Sequence, residues 1–161
     1  MNIQKILCPT DFSDFTDAAL GYASSLAAES GALLYIVHVD ECRGVNAATG
    51  EASVYAATLG LADRNAVQRH LEQVEPTLPH VAFEHRYLEG DAIHEIVAFA
   101  EREQIDLIVM GSHGRTGLSR LLMGSVAEGV TRRATCPVLI VKQPSPSVEE
   151  SPVDDARVLS E

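Results

Sequence analysis

The sequence predicts an α/β domain: a doubly wound, five-stranded parallel sheet with helices on both faces. Three observations lead there. Short apolar runs rich in β-formers alternate with stretches whose apolar residues recur at helical spacing, five of the first kind and four of the second. Each helical stretch lies between consecutive strands, which calls for parallel pairing through right-handed crossovers. The 161 residues, 46% apolar and 22% charged, are enough for one domain with a core and too few for two comfortable ones.

The first strand is Ile3–Cys8, stopped by Pro9. Thr10-Asp11-Phe12-Ser13 follows, with Ser13 placed to cap a helix in which Ala19, Tyr22, Ala23, Leu26 and Ala27 recur at helical spacing, closed by Gly31. Ala32–Val39 is the second strand, and residues 40–53, with Gly44, Asn46 and Gly50, read as a loop. A long helix over 54–75 has Leu61, Val67, Leu71 and Val74 on one side and ends at Pro76 and Pro79. Val81–Leu88 alternates with polar residues, so it suits a sheet edge. Gly90-Asp91 opens the next helix, where Ile93, Ile96, Val97 and Ala100 make the cleanest amphipathic pattern of the chain. Ile105–Met110 is a buried strand. A glycine-rich loop, a helix from Ser125 to Ala134 and a last strand, Pro137–Val141, complete the domain. The segment 143–161 holds three prolines and five acids and reads as a disordered tail.

Composition narrows the function. A net charge of -11 argues against nucleic-acid or anionic-membrane binding, which wants a positive face. It leaves a nucleotide possible, because backbone N–H groups and a helix N-terminus hold phosphate with few cations. The three cysteines, Cys8, Cys42 and Cys136, form no CxxC pair and no Cys/His ligand spacing, as expected of reduced thiols in a cytoplasmic protein. The opening MNIQKILCPT has no long apolar stretch, so no secretory leader is expected, and no segment is apolar for the roughly 20 residues of a membrane span.

The chemistry concentrates after the fourth strand. Gly111-Ser112-His113-Gly114-Arg115 is followed, with nine residues between Gly114 and it, by Gly124-Ser125, giving G-x2-G-x9-G-S. Glycines at two points of one loop let the backbone approach a polyanion without Cβ interference, and the second lies at the positive end of a helix. Neither the Walker P-loop nor the G-x-G-x-x-G dinucleotide fingerprint occurs. Ser125 and Glu128 also fit a capping box, a use compatible with a phosphate contact. Asp11 in Pro-Thr-Asp is good turn chemistry as well as a carboxylate suited to ribose hydroxyls. Arg115 and Arg120 flank the loop, either solvated or neutralising phosphate. Six histidines lack metal-site spacing, so the default for them is satisfied or exposed rings. No nucleophile elbow and no lysine in the loop point to fast catalysis, so no catalytic residue and no resident metal are assigned.

The long motif resembles that of the universal stress protein family, in its ATP-binding branch. Three further segments are similar to the same family: Ile6-Leu7-Cys8-Pro9-Thr10-Asp11-Phe12-Ser13, Val37-His38-Val39, and Thr135-Cys136-Pro137-Val138-Leu139-Ile140-Val141. The resemblance covers residues 3–142. It implies a flavodoxin-like, adenine nucleotide alpha hydrolase-like sheet of order 3-2-1-4-5, a family domain over 1–142 and a separate tail over 143–161. It also implies a site in which Pro9 and Thr10 shape a turn and Asp11 meets the ribose or adenine side. Val39 lines the adenine slot, and Met110 lies near it. Gly111, His113, Gly114 and Arg115 border ribose and phosphates, and Gly124, Ser125 and Val126 hold the distal phosphates. Mg2+ or Mn2+ is expected on the phosphate oxygens. A homodimer through Val138–Val141 is expected from the family's pairing of its last strand with its twin. The function expected is an ATP-binding, stress-linked regulator with at most slow hydrolysis, in which ATP orders the 111–124 loop. The alternative is an interaction module of the same fold that binds AMP, cAMP or no nucleotide.

Overall fold

The computed structural model describes residues 3–41, 64–112 and 123–142. Most of the expected 40–53 loop, the first part of the 54–75 helix, Cys42, His113, Gly114, Arg115, Arg120 and the 143–161 tail lie outside the described residues. In chain order the elements are β1 (Lys5–Pro9), α1 (Asp14–Ser30), β2 (Leu33–Asp40), α2 (residues 64–71), β3 (Phe83–Glu89), α3 (Ala92–Arg102), β4 (Leu107–Gly111), α4 (Ser125–Arg133) and β5 (Val138–Val141).

The sheet order is β3-β2-β1-β4-β5 with every pair parallel, as expected. Leu7 sits at the centre, level with Tyr35 on one side and Ile108 on the other. Side-chain alternation along the strands divides the core in two. Ile6, Cys8, Leu34, Ile36 and Val109 pack beneath α1 and α2, against Ala19, Ala23, Ala27 and Leu71. Leu7, Tyr35, Val37, Ile108 and Met110 pack on the opposite face against α3 and α4, with Ile96, Phe99, Ala127 and Val130. The polar alternation of β3 places it at one edge; the apolar β5 lies at the other.

The helix ends follow local chemistry. Ser13 is the extended N-cap residue of α1, and Gly31, at φ 71°, closes that helix by donating its N–H to the Ala27 carbonyl at 2.9 Å. Gly90 takes φ 138°, which L side chains rarely adopt, and Asp91 caps α3 by accepting from the His94 amide at 2.8 Å.

Three expectations are corrected. Tyr22 is 59% exposed rather than on the core face of α1; the three alanines at 19, 23 and 27 hold the helix close to the sheet and leave Tyr22 on the flank. Helix α2 ends at Leu71, not 75. Residue 75 precedes Pro76, which disfavours helical backbone there, and the Val74 carbonyl accepts from His85 Nε2 at 2.7 Å instead of continuing the helix. Ser125 is the first helical residue of α4 rather than its cap. The cap is Gly124, at extended backbone angles and with no side-chain bond, so the S-x-x-E spacing does not form a capping box.

Cys8 is fully enclosed, and burial pushes its thiol from the ordinary 9.0 to about 12. Above pH 9 the unfolded chain gives up this proton while the native protein keeps it. Stability is therefore expected to fall, by about 1.4 kcal/mol per pH unit from this group, as pH rises from 9 toward 12. Urea unfolding of the protein and of Cys8→Ala between pH 8 and 11 checks this: the variant has the shallower slope.

Candidate functional site

The chain runs from β1 outward to β2 and β3, then crosses back to the other side of β1 for β4 and β5. Between β1 and β4 the strand order reverses, and in such sheets the crevice outside the strand C-termini takes ligands. A crevice of about 520 Å³ opens there, within the usual size range of small-molecule sites.

One side comes from the end of β1. The Thr10 amide donates to the Val37 carbonyl at 2.8 Å, and the chain then turns sharply before α1. Asp11 Oδ1 accepts from the Ser13 amide at 3.1 Å and from the Ser13 hydroxyl at 2.6 Å. Turn chemistry and the crevice therefore share this carboxylate, since Asp11 also lines the cavity. Thr10 Oγ1 accepts from the Phe12 amide at 3.0 Å and lies 3.2 Å from Thr16 Oγ1. Phe12 itself has φ 63°. For a bulky residue this left-handed backbone costs about 1–3 kcal/mol and persists only where the surroundings enforce it.

Those surroundings are two imidazoles. The Phe12 ring stacks on His38 at 4.5 Å between centroids and on His70 of α2 at 4.4 Å, with interplanar angles of 27° and 10°. His38 is buried, and its Nδ1 lies 2.8 Å from the Thr10 carbonyl. A carbonyl oxygen only accepts, so Nδ1 carries the proton. The expectation of a satisfied histidine holds for this ring.

The opposite side is built by the glycine motif. The Ser112 amide donates to the Val141 carbonyl at 2.9 Å, and the Gly124 amide donates to the Ser112 carbonyl at 2.8 Å. The two ends of the loop thus meet at the tip of β4, although eleven residues separate Ser112 from Gly124. Helix α4 begins at this junction, and Ser125, Val126 and Ala127 of its first turn line the crevice. Among the described residues none accepts from these three first-turn amides. They and the helix dipole make a positive end suited to an anion.

Of the sequence-derived site residues, Pro9, Thr10, Asp11, Val39, Met110, Gly111, Gly124, Ser125 and Val126 all line this one crevice. His113, Gly114 and Arg115 lie outside the described residues. Further lining residues went unread in the sequence. Val37 is two positions before Val39 and shares its face of β2, a signal that strand alternation carries. Ala92 and Ile96, one helical turn apart on α3, complete the apolar wall but carry no local sign of the site. Asp40 and Glu41 line it as well. The Tyr87 hydroxyl donates to Asp40 Oδ2 at 2.5 Å, and burial together with this bond raises the phenol above its ordinary 10.0. Thr16, His38 and Ala127, all buried, also line the crevice. The lining combines apolar side chains, the carboxylates of Asp11, Asp40 and Glu41, and the first turn of α4. Among the described residues no group of three His, Cys, Asp or Glu side chains stands together to hold a metal ion.

The sequence profile of the universal stress protein family matches residues 2–142. The universal stress protein MJ0531 of Methanocaldococcus jannaschii is 39% identical over 143 residues, covering 88% of this chain and 83% of that protein. MJ0577 of the same organism is 30% identical over 158 residues, covering 87% and 95%. Its solved structure superposes with a TM-score of 0.76 over 91% of this chain and all of that one. A universal stress protein solved in complex with cAMP superposes with a TM-score of 0.56 at 28% identity, over 88% of this chain and 98% of that one.

Proposed function

The chain belongs to the universal stress protein family, and from that premise we propose that it binds ATP in the crevice at the β1–β4 switch point and acts as a nucleotide-dependent regulator in a stress response. The observation that carries this reading is the meeting of Ser112 and Gly124 beside the first turn of α4. First-turn residues of α4 line the cavity there, and phosphate is the ligand that such a helix end suits best. The base then lies between Val39 and Met110. Asp11 turns toward the sugar, since beside the phosphates it would repel them. His113, Gly114 and Arg115 join the ribose and phosphate contacts in this reading, and Mg2+ or Mn2+ rides on phosphate oxygens. Hydrolysis is slow at most, because the reading assigns no base to a water molecule.

One observation favours a second reading. A relative was solved with cAMP, so a cyclic or monophosphate adenylate competes with ATP for this slot. Calorimetric titration with ATP and Mg2+, then with AMP and cAMP, tests both. The expected result is a dissociation constant for ATP below about 1 mM and weaker binding of the other two. The absence of heat with all three overturns nucleotide binding, and tighter binding of cAMP or AMP replaces ATP as the ligand.

The assembly proposed is a homodimer. Strand β5 is a four-residue apolar edge, VLIV, with Leu139 37% exposed, while the other edge strand carries Glu84, Arg86 and Glu89. Charges guard one edge against pairing; β5 lacks them and suits a twin strand across a twofold axis. No helix among the described residues is long and apolar enough to cross a membrane. A cytoplasmic location without a nucleic-acid partner accompanies the proposal, on the net charge of -11.

A further inference from the structure

We propose that His38 is a positioning residue for the nucleotide site: its Nδ1–H, donated to the Thr10 carbonyl, holds the 10–13 turn in the one conformation that presents Thr10 and Asp11 to the crevice. The inference rests on the crevice being the nucleotide site and adds a residue that sets its shape. Three observations converge on this ring. The bond to Thr10 spans 2.8 Å between residues 28 apart in sequence, so it ties the end of β2 to the exit of β1. The ring is 7% exposed, so water does not readily replace its bond. Its face covers Phe12, the turn residue with left-handed backbone, whose far face is covered by His70.

The consequences run through two short bonds. With φ of Phe12 at 63°, the Ser13 amide reaches Asp11 Oδ1, while the Phe12 amide, set by the backbone before it, reaches Thr10 Oγ1. If Phe12 relaxed to ordinary backbone, the Ser13 amide would swing away from Asp11 Oδ1, and once the Thr10 carbonyl is released its peptide can rotate and carry the Phe12 amide off Thr10 Oγ1. The Thr10 carbonyl is the hinge just before this turn, and the imidazole N–H holds it.

Two substitutions separate donor from ring. His38→Phe keeps a ring against Phe12 and removes the donor. His38→Asn keeps a donor near the Nδ1 position and removes the ring. Amide hydrogen exchange of the nucleotide-free protein reads the turn directly, and calorimetry with ATP and Mg2+ reads the site. For His38→Phe the expected result is at least about tenfold faster exchange at Phe12 and Ser13, with the amides of β4 unchanged. ATP binding should also weaken about tenfold. His38→Asn should restore most of both. Wild-type exchange at Phe12 and Ser13 in His38→Phe, or no recovery in His38→Asn, overturns the inference. Failure of the unsubstituted protein to bind nucleotide falls instead on the proposed function, because the exchange result does not depend on a ligand.

Discussion

Replacing Gly124 by valine is expected to weaken nucleotide binding by about 100-fold or more while the fold survives. Gly124 has φ -61° and ψ 150°, angles any L residue adopts, so the backbone tolerates the change. Its amide remains bonded to Ser112. The new side chain instead adds branched bulk to a residue that lines the cavity, next in sequence to Ser125 and Val126. Losing two charge-assisted bonds to phosphate corresponds to about 3 kcal/mol or more. Valine is a poor N-cap, so stability should fall by only about 1 kcal/mol. Calorimetry with ATP and Mg2+, paired with urea unfolding, separates the two effects. Wild-type affinity in a folded Gly124→Val protein would remove the α4 amides from the site.

The second large effect concerns stability. A Cβ on Gly129 would stand 2.4 Å from Ile93 Cδ1, 2.9 Å from Cγ1 and 3.1 Å from Cγ2. Here α4 lies against α3 with no room for a side chain. Gly129→Val is expected to destabilise the protein by about 3 kcal/mol, overpacking outweighing the helix propensity gained on removing glycine. In a chain of this size that lowers the melting temperature by about 10 °C. Because the clash is with one side chain, Ile93→Ala should recover part of the loss, with a coupling of about 1–2 kcal/mol in a double-mutant cycle. Strict additivity of the two changes, measured by urea unfolding, would show that α4 moves away from α3 rather than pressing on Ile93. The contact matters for the site because α3 supplies Ala92 and Ile96 to its wall and α4 supplies its amides.

Much of this architecture was legible residue by residue. The glycine spacing from Gly111 through Gly114 to Gly124 located the loop, and alternation in β3 placed it at an edge. Gly31 and Asp91 announced helix ends because each acts on backbone within a few residues of itself. The misreadings share a cause. Ser125 satisfied a capping spacing, yet capping requires extended backbone at that residue, and the bond between Gly124 and Ser112 sets the helix start one position earlier. Tyr22 matched the helical period, but a period defines a stripe and not its width, and three alanines bring α1 too close to the sheet to admit a large ring beneath it.

What the amino-acid order determined by itself is everything written in short-range periodicity and punctuation: the alternation of strands and helices, the parallel sheet that follows from it, and the two glycine points of the loop after β4. Only the folded chain decided that His38 meets Thr10, that Phe12 lies between two imidazoles, and that Ala92 and Ile96 wall the crevice. The physical reason is separation along the chain. Turn and helix signals act over a few bonds, whereas these contacts join segments whose proximity exists only after the crossovers have brought the strands side by side.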